Sequence, residues 1–222
     1  MNVLSLFDGM SCGRIAIDKL GIKLTNYFAS EVDKDAIKCS KHNWSDITHI
    51  GDVTKVSYKD GVLYTENGEY KVDIDLVIGG SPCQSFSPAA AMKGFNNGLQ
   101  GKSGLFYEYL RILNEVKEYN PNVNWLLENV KMKKDSKETL DKYLGVTGVY
   151  IDSSLLSFQK RSRYYWSNLH FTIPEYKNVS FQDYKESGDL SKYKLNPTPQ
   201  HPHVYVCGVV AKVVTLLVVV RM

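Results

Sequence analysis

The fold of this chain is decided by residues 74–87, which read IDLVIGGSPCQSFS. The first five residues are mostly apolar and two glycines follow them at once, a pattern that predicts a short buried strand ending in a tight loop. Ligands and catalytic groups gather at strand ends in open α/β sheets. Cys83 in this loop is therefore a candidate nucleophile, because backbone amides at a loop or helix start favour the thiolate that attacks. The alternative is a small buried cysteine beside a turn.

A second strand-and-turn pattern lies at the amino terminus. Residues 3–7 predict a buried strand, residues 8–13 a glycine-rich turn, and the apolar spacing up to Gly21 a helix. Strand, turn and helix form the first half of a βαβ unit. The turn lacks the G-x-G-x-x-G pattern, which counts against a nicotinamide or flavin dinucleotide. It still allows a ligand to approach the backbone and presents a helix start to an anionic group.

The next predicted strand, residues 26–30, ends at an acidic residue, Glu31. An acidic side chain about twenty positions after a glycine-rich turn can bond the hydroxyl groups of a ribose. The alternative is a carboxylate at the start of the helix predicted over residues 33–42.

A further carboxylate, Asp52, lies in the short strand predicted over residues 50–53. It is as consistent with a turn as with a ligand contact. Residues 54–72 are polar and contain Asp60-Gly61 and Asn67-Gly68, so they predict a hairpin insertion.

After the cysteine loop, residues 88–101 are rich in alanine, glycine and asparagine and predict a mobile lid. A helix is predicted from Ser103 or Gly104 to Tyr119, ahead of a proline. Residues 124–128 predict another strand, which ends in Glu128.

The following segment predicts one helix and two antiparallel strands. The helix covers residues 136–144, and the strands cover residues 149–156 and 164–171. Between the strands, residues 159–163 read QKRSR. Their guanidinium groups could grip a base edge or a phosphate, and the alternative is a solvated hairpin turn.

Composition bounds the class of protein. With 222 residues, of which 43% are hydrophobic and 23% charged, the chain can bury one sizeable core. Its net charge of +3 permits a nucleic-acid partner without arguing for one. The four cysteines form no C-x-x-C pair and the five histidines form no metal-ligand pattern. We therefore expect no metal and a reducing, intracellular compartment, and the amino terminus has no signal-peptide pattern.

Taken together, the motifs resemble those of the cytosine-5 DNA methyltransferases. Pro-Cys-Gln, Glu-Asn-Val and Gln-x-Arg-x-Arg, each at a strand end and in this order, make the resemblance specific. It covers roughly residues 1–175 and is closest to the de novo branch and to phage relatives. The matching positions, in chain order, are Phe7-Asp8-Gly9 with Gly13, Glu31, Asp52-Val53, Pro82-Cys83-Gln84, Leu105, Glu128-Asn129-Val130 and Gln159-x-Arg161-x-Arg163.

The resemblance implies an α/β fold, a Rossmann-like sheet with helices on both faces, and S-adenosylmethionine as the methyl donor. It also implies double-stranded DNA as the partner, with the target cytosine flipped out of the stack. The implied donor site consists of Phe7, Asp8, Gly9, Gly13 and Leu105 around the pocket, Glu31 at the ribose, and Asp52 and Val53 at the adenine.

The resemblance also implies the catalytic residues. Cys83 would attack carbon-6 of cytosine, and Glu128 would hydrogen-bond the ring nitrogen and the exocyclic amine. Arg161 and Arg163 would steady the flipped base and the loop.

The carboxyl-terminal part departs from the family pattern, in which a target-recognition region and a final segment follow the arginine motif. Residues 204–222 are rich in valine, with only Lys212 and Arg221 charged. We expect a catalytic domain over residues 1–175, a polar linker over 176–200, and an apolar tail over 201–222 produced by a frameshift or truncation. A genuine carboxyl-terminal strand is the alternative, and the tail is too short for a membrane span.

The expected function is therefore a DNA cytosine-5 methyltransferase, active alone or with a second chain that supplies target recognition. The alternative is a non-catalytic remnant or donor-binding subunit. A third interpretation is RNA methylation by the same chemistry.

Overall fold

The computed structural model describes residues 1–82 and 104–179. Cys83, the predicted lid over residues 88–101 and the apolar tail lie outside the described residues, as does most of the predicted linker. The strands are β1 (Asn2–Leu6), β2 (Asn26–Ser30), β3 (Ile47–Gly51), β4 (Ser57–Lys59), β5 (Val62–Thr65), β6 (Gly68–Lys71), β7 (Leu76–Gly79), β8 (Asn124–Val130), β9 (Val149–Asp152) and β10 (Ser162–Ser167). The α-helices are α1 (Cys12–Lys19), α2 (Lys34–Asn43), α3 (Gly104–Tyr119) and α4 (Lys134–Leu144).

The main sheet has seven strands in the order β3-β2-β1-β7-β8-β10-β9. The first five of these run parallel, and β10 is antiparallel to both of its neighbours. Parallel strands need crossover connections, and helices supply them here. The predicted α/β class is confirmed.

Side chains alternate across the main sheet, so each face contributes to its own core. On one face Val3, Tyr27 and Ile78 pack with Ile17 of α1. On the other face Leu4 and Trp166 join a larger core with residues of α3 and α4. The helices therefore cover both faces, as the resemblance implied.

The predicted hairpin insertion is confirmed and contains a third strand. The strands β4, β5 and β6 form a separate antiparallel sheet. Asp60-Gly61 and Glu66-Asn67 form its two-residue turns, because Lys59 pairs with Val62 and Thr65 pairs with Gly68. Asp60 and Gly61 both have positive φ, of 51° and 78°, as a tight hairpin turn requires.

Two predicted strands needed correction near the motifs. The strand predicted over residues 50–53 ends at Gly51, and Val53–Lys55 form a 3₁₀ turn, because the Asp52 carboxylate caps the Thr54 amide at 2.9 Å. The strand predicted over residues 149–156 likewise ends at Asp152, whose carboxylate caps a 3₁₀ turn.

The last strand also differs from its prediction over residues 164–171. It runs from Ser162 to Ser167, so Arg163 lies within a strand and not in a turn. It ends at Ser167 because the next residue, Asn168, turns back to accept a hydrogen bond from the Trp125 amide at 2.9 Å.

Within residues 1–82 and 104–179, no helix combines the length and the apolar character that crossing a membrane requires.

Candidate active site

The strand register brings four predicted site segments to one edge of the main sheet. Leu6 pairs with both Ser30 and Gly79, and Gly79 pairs with Leu127. Phe7, Glu31, Gly80 and Glu128 follow these paired positions directly in the sequence. Because parallel strands share their carboxyl edge, this is the edge where an open α/β sheet binds its ligands.

The loop after β1 has an unusual backbone. Phe7, Gly9 and Ser11 all adopt left-handed conformations, with φ values of 58°, 62° and 61°. Such conformations are costly for residues other than glycine and persist where the surroundings hold them. Here the Gly9 amide donates to Glu31 Oε2 at 2.8 Å, which ties this loop to the end of β2.

The second oxygen of Glu31 caps its own loop. Oε1 accepts hydrogen bonds from the amides of Val32 and Asp33, at 2.8 and 2.9 Å. The alternative for Glu31, a carboxylate at the start of the next helix, was wrong, because Asp33 caps α2 by accepting from the amides of Asp35 and Ala36 at 2.9 Å. A carboxylate oxygen accepts more than one hydrogen bond, so the contacts of Glu31 are compatible with a ribose contact as well.

Asp8 is buried and makes its hydrogen bonds to the protein's own hydroxyl groups. Oδ1 accepts from Ser5 at 2.5 Å and from Tyr27 at 2.7 Å, and Oδ2 accepts from Ser11 at 2.5 Å. Burial raises the pKa of Asp8, and the hydroxyl groups partly offset this effect. Asp8 therefore anchors the strained loop to β1 and β2, and its predicted contact with the donor stays a prediction.

A cavity of about 490 Å³ opens beside these loops. Its size lies in the range of small-molecule sites. The predicted donor residues that line it are Phe7, Gly9, Glu31, Asp52, Val53 and Leu105. Ser30, Thr54, Gly80 and Pro82 also line it, although the sequence did not single them out as donor residues. A lining that combines apolar side chains with the carboxylates of Glu31 and Asp52 suits a ligand that joins a flat base to a hydroxylated sugar, so the residues fit a nucleoside-containing donor.

Gly13 lies away from this cavity, against the sheet. A Cβ at this position would lie 2.4 Å from Ile78 Cδ1 and 2.9 Å from the Tyr27 hydroxyl oxygen. Gly13 and Asp8 instead line a smaller cavity of about 50 Å³, which also contacts Glu128. The structure gives Gly13 a packing role, and its donor contact also stays a prediction.

Glu128, Arg161 and Arg163 come together at the end of β8. Arg163 Nε donates to Glu128 Oε1 at 2.6 Å, and Arg161 Nη2 lies 3.8 Å from the same oxygen. All three side chains are mostly buried, with 15%, 23% and 17% exposure respectively. Two guanidinium groups thus offset the desolvation of one carboxylate.

The loop that carries Arg161 is fastened by its own polar groups. The Ser153 hydroxyl donates to the Gln159 carbonyl at 2.6 Å, and the Ser153 amide donates to the Arg161 carbonyl at 3.1 Å. Among the described residues, Arg161 Nε and Gln159 Oε1 are buried without a hydrogen-bond partner. Buried polar atoms of this kind call for an explanation, such as a ligand or a further part of the chain.

Asn129 is a functional candidate to which sequence reasoning assigned no role. It is 2% exposed, and its Nδ2 donates to both the carbonyl oxygen and the hydroxyl oxygen of Ser81 at 3.2 Å. It therefore holds the chain two residues before Cys83. The available signal was its position beside Glu128 in the Glu-Asn-Val motif at the end of β8.

Neither residues 1–82 nor residues 104–179 contain a cluster of three histidine, cysteine or acidic side chains that could hold a metal ion.

Comparison with known proteins identifies the family. A sequence model described as C-5 cytosine-specific DNA methylase matches residues 1–146. The chain belongs to this family, and membership implies a methyl donor.

Individual relatives include phage and plant enzymes. The chain is 31% identical over 207 residues to the orphan methyltransferase M.SPRI of Bacillus phage SPR, covering 87% of this chain and 43% of that protein. It is 38% identical over 125 residues to the DNA (cytosine-5)-methyltransferase DRM2 of Oryza sativa subsp. japonica, covering 53% and 20% respectively. The predicted similarity to phage and de novo enzymes is thus confirmed. The chain spans less than half the length of these relatives.

A solved structure supports the fold. The Dnmt2 methyltransferase of S. pombe superposes with a TM-score of 0.58 at 19% identity, covering 87% of this chain and 63% of that one. The Rossmann-like methyltransferase fold is confirmed.

Proposed function

We propose that this chain transfers a methyl group from S-adenosylmethionine to carbon-5 of a flipped cytosine in DNA, through a covalent bond to Cys83. The observation that carries the proposal is the position of Gly80. It lines the larger cavity, and a Cβ on it would lie 2.9 Å from Glu128 Oε2. A donor in the cavity and a base at Glu128 would therefore be neighbours.

The larger cavity is the proposed donor site. Glu31 would hold the ribose hydroxyl groups, and Asp52 and Val53 would contact the adenine, with Phe7 and Leu105, which also line the cavity, as apolar walls. The sulfonium of the bound donor supplies an electrophilic methyl group. The protein's task is to orient that group towards carbon-5 of the cytosine and to exclude water from the space between them.

The cysteine makes the cytosine reactive. The Cys83 thiolate would add to carbon-6 and push the ring electrons towards carbon-5. Carbon-5 would then take the methyl group as its bond to the donor sulfur breaks, leaving the electron pair on that sulfur in the neutral thioether product. A base next removes the carbon-5 proton, the electron pair re-forms the ring double bond, and the thiolate leaves. The target cytosine must first leave the base stack of the DNA, because neither the Cys83 thiolate nor the donor's methyl group reaches it inside a duplex.

Glu128 and the two arginines stabilise the ring as charge develops. Glu128 donates a carboxylic proton to the ring nitrogen and accepts a hydrogen bond from the exocyclic amine, and the proton relieves the negative charge that thiolate addition produces. Arg161 Nε has no hydrogen-bond partner among the described residues, so it can donate to the carbonyl oxygen of the ring. Arg163 orients Glu128 through the 2.6 Å hydrogen bond.

Transfer of tritiated methyl groups from S-adenosylmethionine tests the proposal. Unmethylated duplex DNA and transfer RNA are supplied in separate reactions, and the product base is identified by mass. We expect 5-methylcytosine in DNA, and none with Cys83→Ala. Label in the RNA alone would instead support the RNA interpretation.

Calorimetric titration of the donor separates the remaining alternative. Donor binding without transfer to either nucleic acid would support a donor-binding subunit that needs a second chain for target recognition.

Because the relatives include a phage enzyme, the proposed setting is the cytoplasm of a bacterial cell.

A further inference from the structure

The hairpin insertion reaches the wall of the larger cavity through Glu66 at its tip. Glu66 Oε1 accepts a hydrogen bond from the Asp52 amide at 2.9 Å, and Oε2 accepts one from Lys55 Nζ at 2.7 Å. Asp52 begins the turn that forms one side of the cavity, together with Val53 and Thr54. The carboxylate therefore holds both ends of that turn from outside.

The preceding glycine makes room for this contact. Gly51 has φ of 81°, and a Cβ on it would lie 2.0 Å from Glu66 Oε1. The carboxylate thus packs directly on the backbone at the end of β3. Next to it, Asn67 Nδ2 donates to the His49 carbonyl at 3.0 Å, so two neighbouring side chains of the tip contact residues 49–55.

The base of the hairpin is fastened to α3. Arg111 Nη2 donates to the Val56 carbonyl at 2.8 Å, and the Tyr58 amide donates to Glu115 Oε2 at 2.9 Å. Arg111 is itself held by Glu108 and Glu115, at 2.6 and 2.7 Å. The same helix carries Leu105, which also lines the cavity. The hairpin therefore links the two elements that supply these walls.

We infer that the β4–β6 hairpin is a brace that sets the shape of the donor cavity, with Glu66 as a positioning residue for the Asp52–Thr54 turn. The inference rests on the proposed donor site. Glu66 acts through the backbone, because its hydrogen bond fixes the Asp52 amide. Its ion pair with Lys55 contributes little, because Lys55 is 60% exposed and Glu66 33% exposed.

Three substitutions separate the parts of this brace. Glu66→Ala removes both contacts, whereas Glu66→Gln keeps an amide oxygen that can accept from Asp52. Lys55→Met removes the ion pair alone. Glu69→Ala is the matched control, because Glu69 is an exposed glutamate on the next strand of the same hairpin.

The first measurement is the Kd of S-adenosylmethionine by calorimetry on the full chain. We expect Glu66→Ala to weaken binding about fivefold to tenfold, the equivalent of one hydrogen bond. Glu66→Gln, Lys55→Met and Glu69→Ala stay within about twofold of wild type, since each preserves the contact with Asp52. The maximal methylation rate at saturating donor stays unchanged in Glu66→Ala, because the brace acts on donor binding.

The second measurement needs no donor. Amide hydrogen exchange of Asp52 is followed by NMR in the free protein, and we expect it to accelerate in Glu66→Ala but not in Glu66→Gln. A wild-type donor Kd in Glu66→Ala, with or without a lower Tm, would overturn the inference and leave the proposed function standing. A wild-type chain that binds no donor would overturn both.

Discussion

At the scale of single residues, the ion pair between Glu128 and Arg163 is the most informative contact. Arg163 Nε lies 2.6 Å from the carboxylate, whereas Arg161 Nη2 lies 3.8 Å away. The two arginines are therefore not equivalent. Arg163 orients Glu128 through its hydrogen bond. Arg161 Nε has no partner among the described residues and remains available to donate to the proposed substrate base.

Replacing Arg163 by methionine tests this division. Arg163→Met leaves the buried Glu128 carboxylate without its closest partner, so we expect kcat to fall roughly 100-fold, as when one positioned polar group of an active site is lost. Donor Kd should stay within about twofold, because Arg163 does not line the donor cavity. Lys160→Met, an exposed cation in the same loop, serves as the control and keeps the wild-type kcat. An unchanged kcat in Arg163→Met would contradict the assigned role.

The surroundings of His49 predict that stability depends on pH. Burial, and next the charge of Lys41, lower the pKa of His49 from its usual value of 6.5, while Asp8 acts in the opposite direction. The folded state therefore favours the neutral ring. The stability that this preference contributes is present above pH 6.5 and is lost as the pH falls through the lowered pKa.

The measurement is urea unfolding of wild type and His49→Gln from about pH 7 to about pH 5. We expect the free energy of unfolding of the wild type to fall relative to the variant as the pH decreases. Parallel pH profiles would show that His49 titrates alike in the folded and unfolded chains.

At the scale of secondary-structure elements, the close packing of α1 on the sheet depends on Gly13. Gly13→Ala would push a methyl group against Ile78 and Tyr27, and overpacking of this kind costs about 1–3 kcal/mol. We expect the urea midpoint to fall accordingly. Lys19→Ala, at an exposed position of the same helix, should leave it nearly unchanged. Equal midpoints for the two variants would mean that α1 shifts to accept the methyl group.

The elements were largely predictable because their signals are local. Apolar runs and turn residues predicted the parallel strands, the helices and the first turn of the hairpin. The second turn is Glu66-Asn67, one residue before the predicted Asn67-Gly68. The strand position of Arg163 was not predictable, because it pairs with Ile151 and Val130, and the second of these lies far away in sequence. The contact of Glu66 with Asp52 was missed for the same reason, since only the folded hairpin brings the two residues together.

At the scale of the whole molecule, one edge of the main sheet brings together the two parts of the proposed active site. A cavity suited to a nucleoside lies beside the strained loop after β1, and a buried carboxylate with two arginines lies at the end of β8. The sequence motifs predicted this grouping, because each follows a strand. They did not distinguish residues that face the cavity, such as Glu31, from residues that support the loop, such as Asp8 and Gly13, since that difference depends on side-chain direction.

The covalent step through Cys83 is the claim on which the proposed function depends. It is tested most directly with DNA in which 5-fluorocytosine replaces cytosine throughout, so that the target sequence need not be known. Fluorine occupies the position of the proton that the base removes, and the bond between sulfur and carbon-6 therefore persists after methyl transfer. With S-adenosylmethionine present, we expect a protein–DNA complex that survives denaturation in wild type and is absent in Cys83→Ala. Methyl transfer to ordinary DNA by Cys83→Ala would contradict the mechanism.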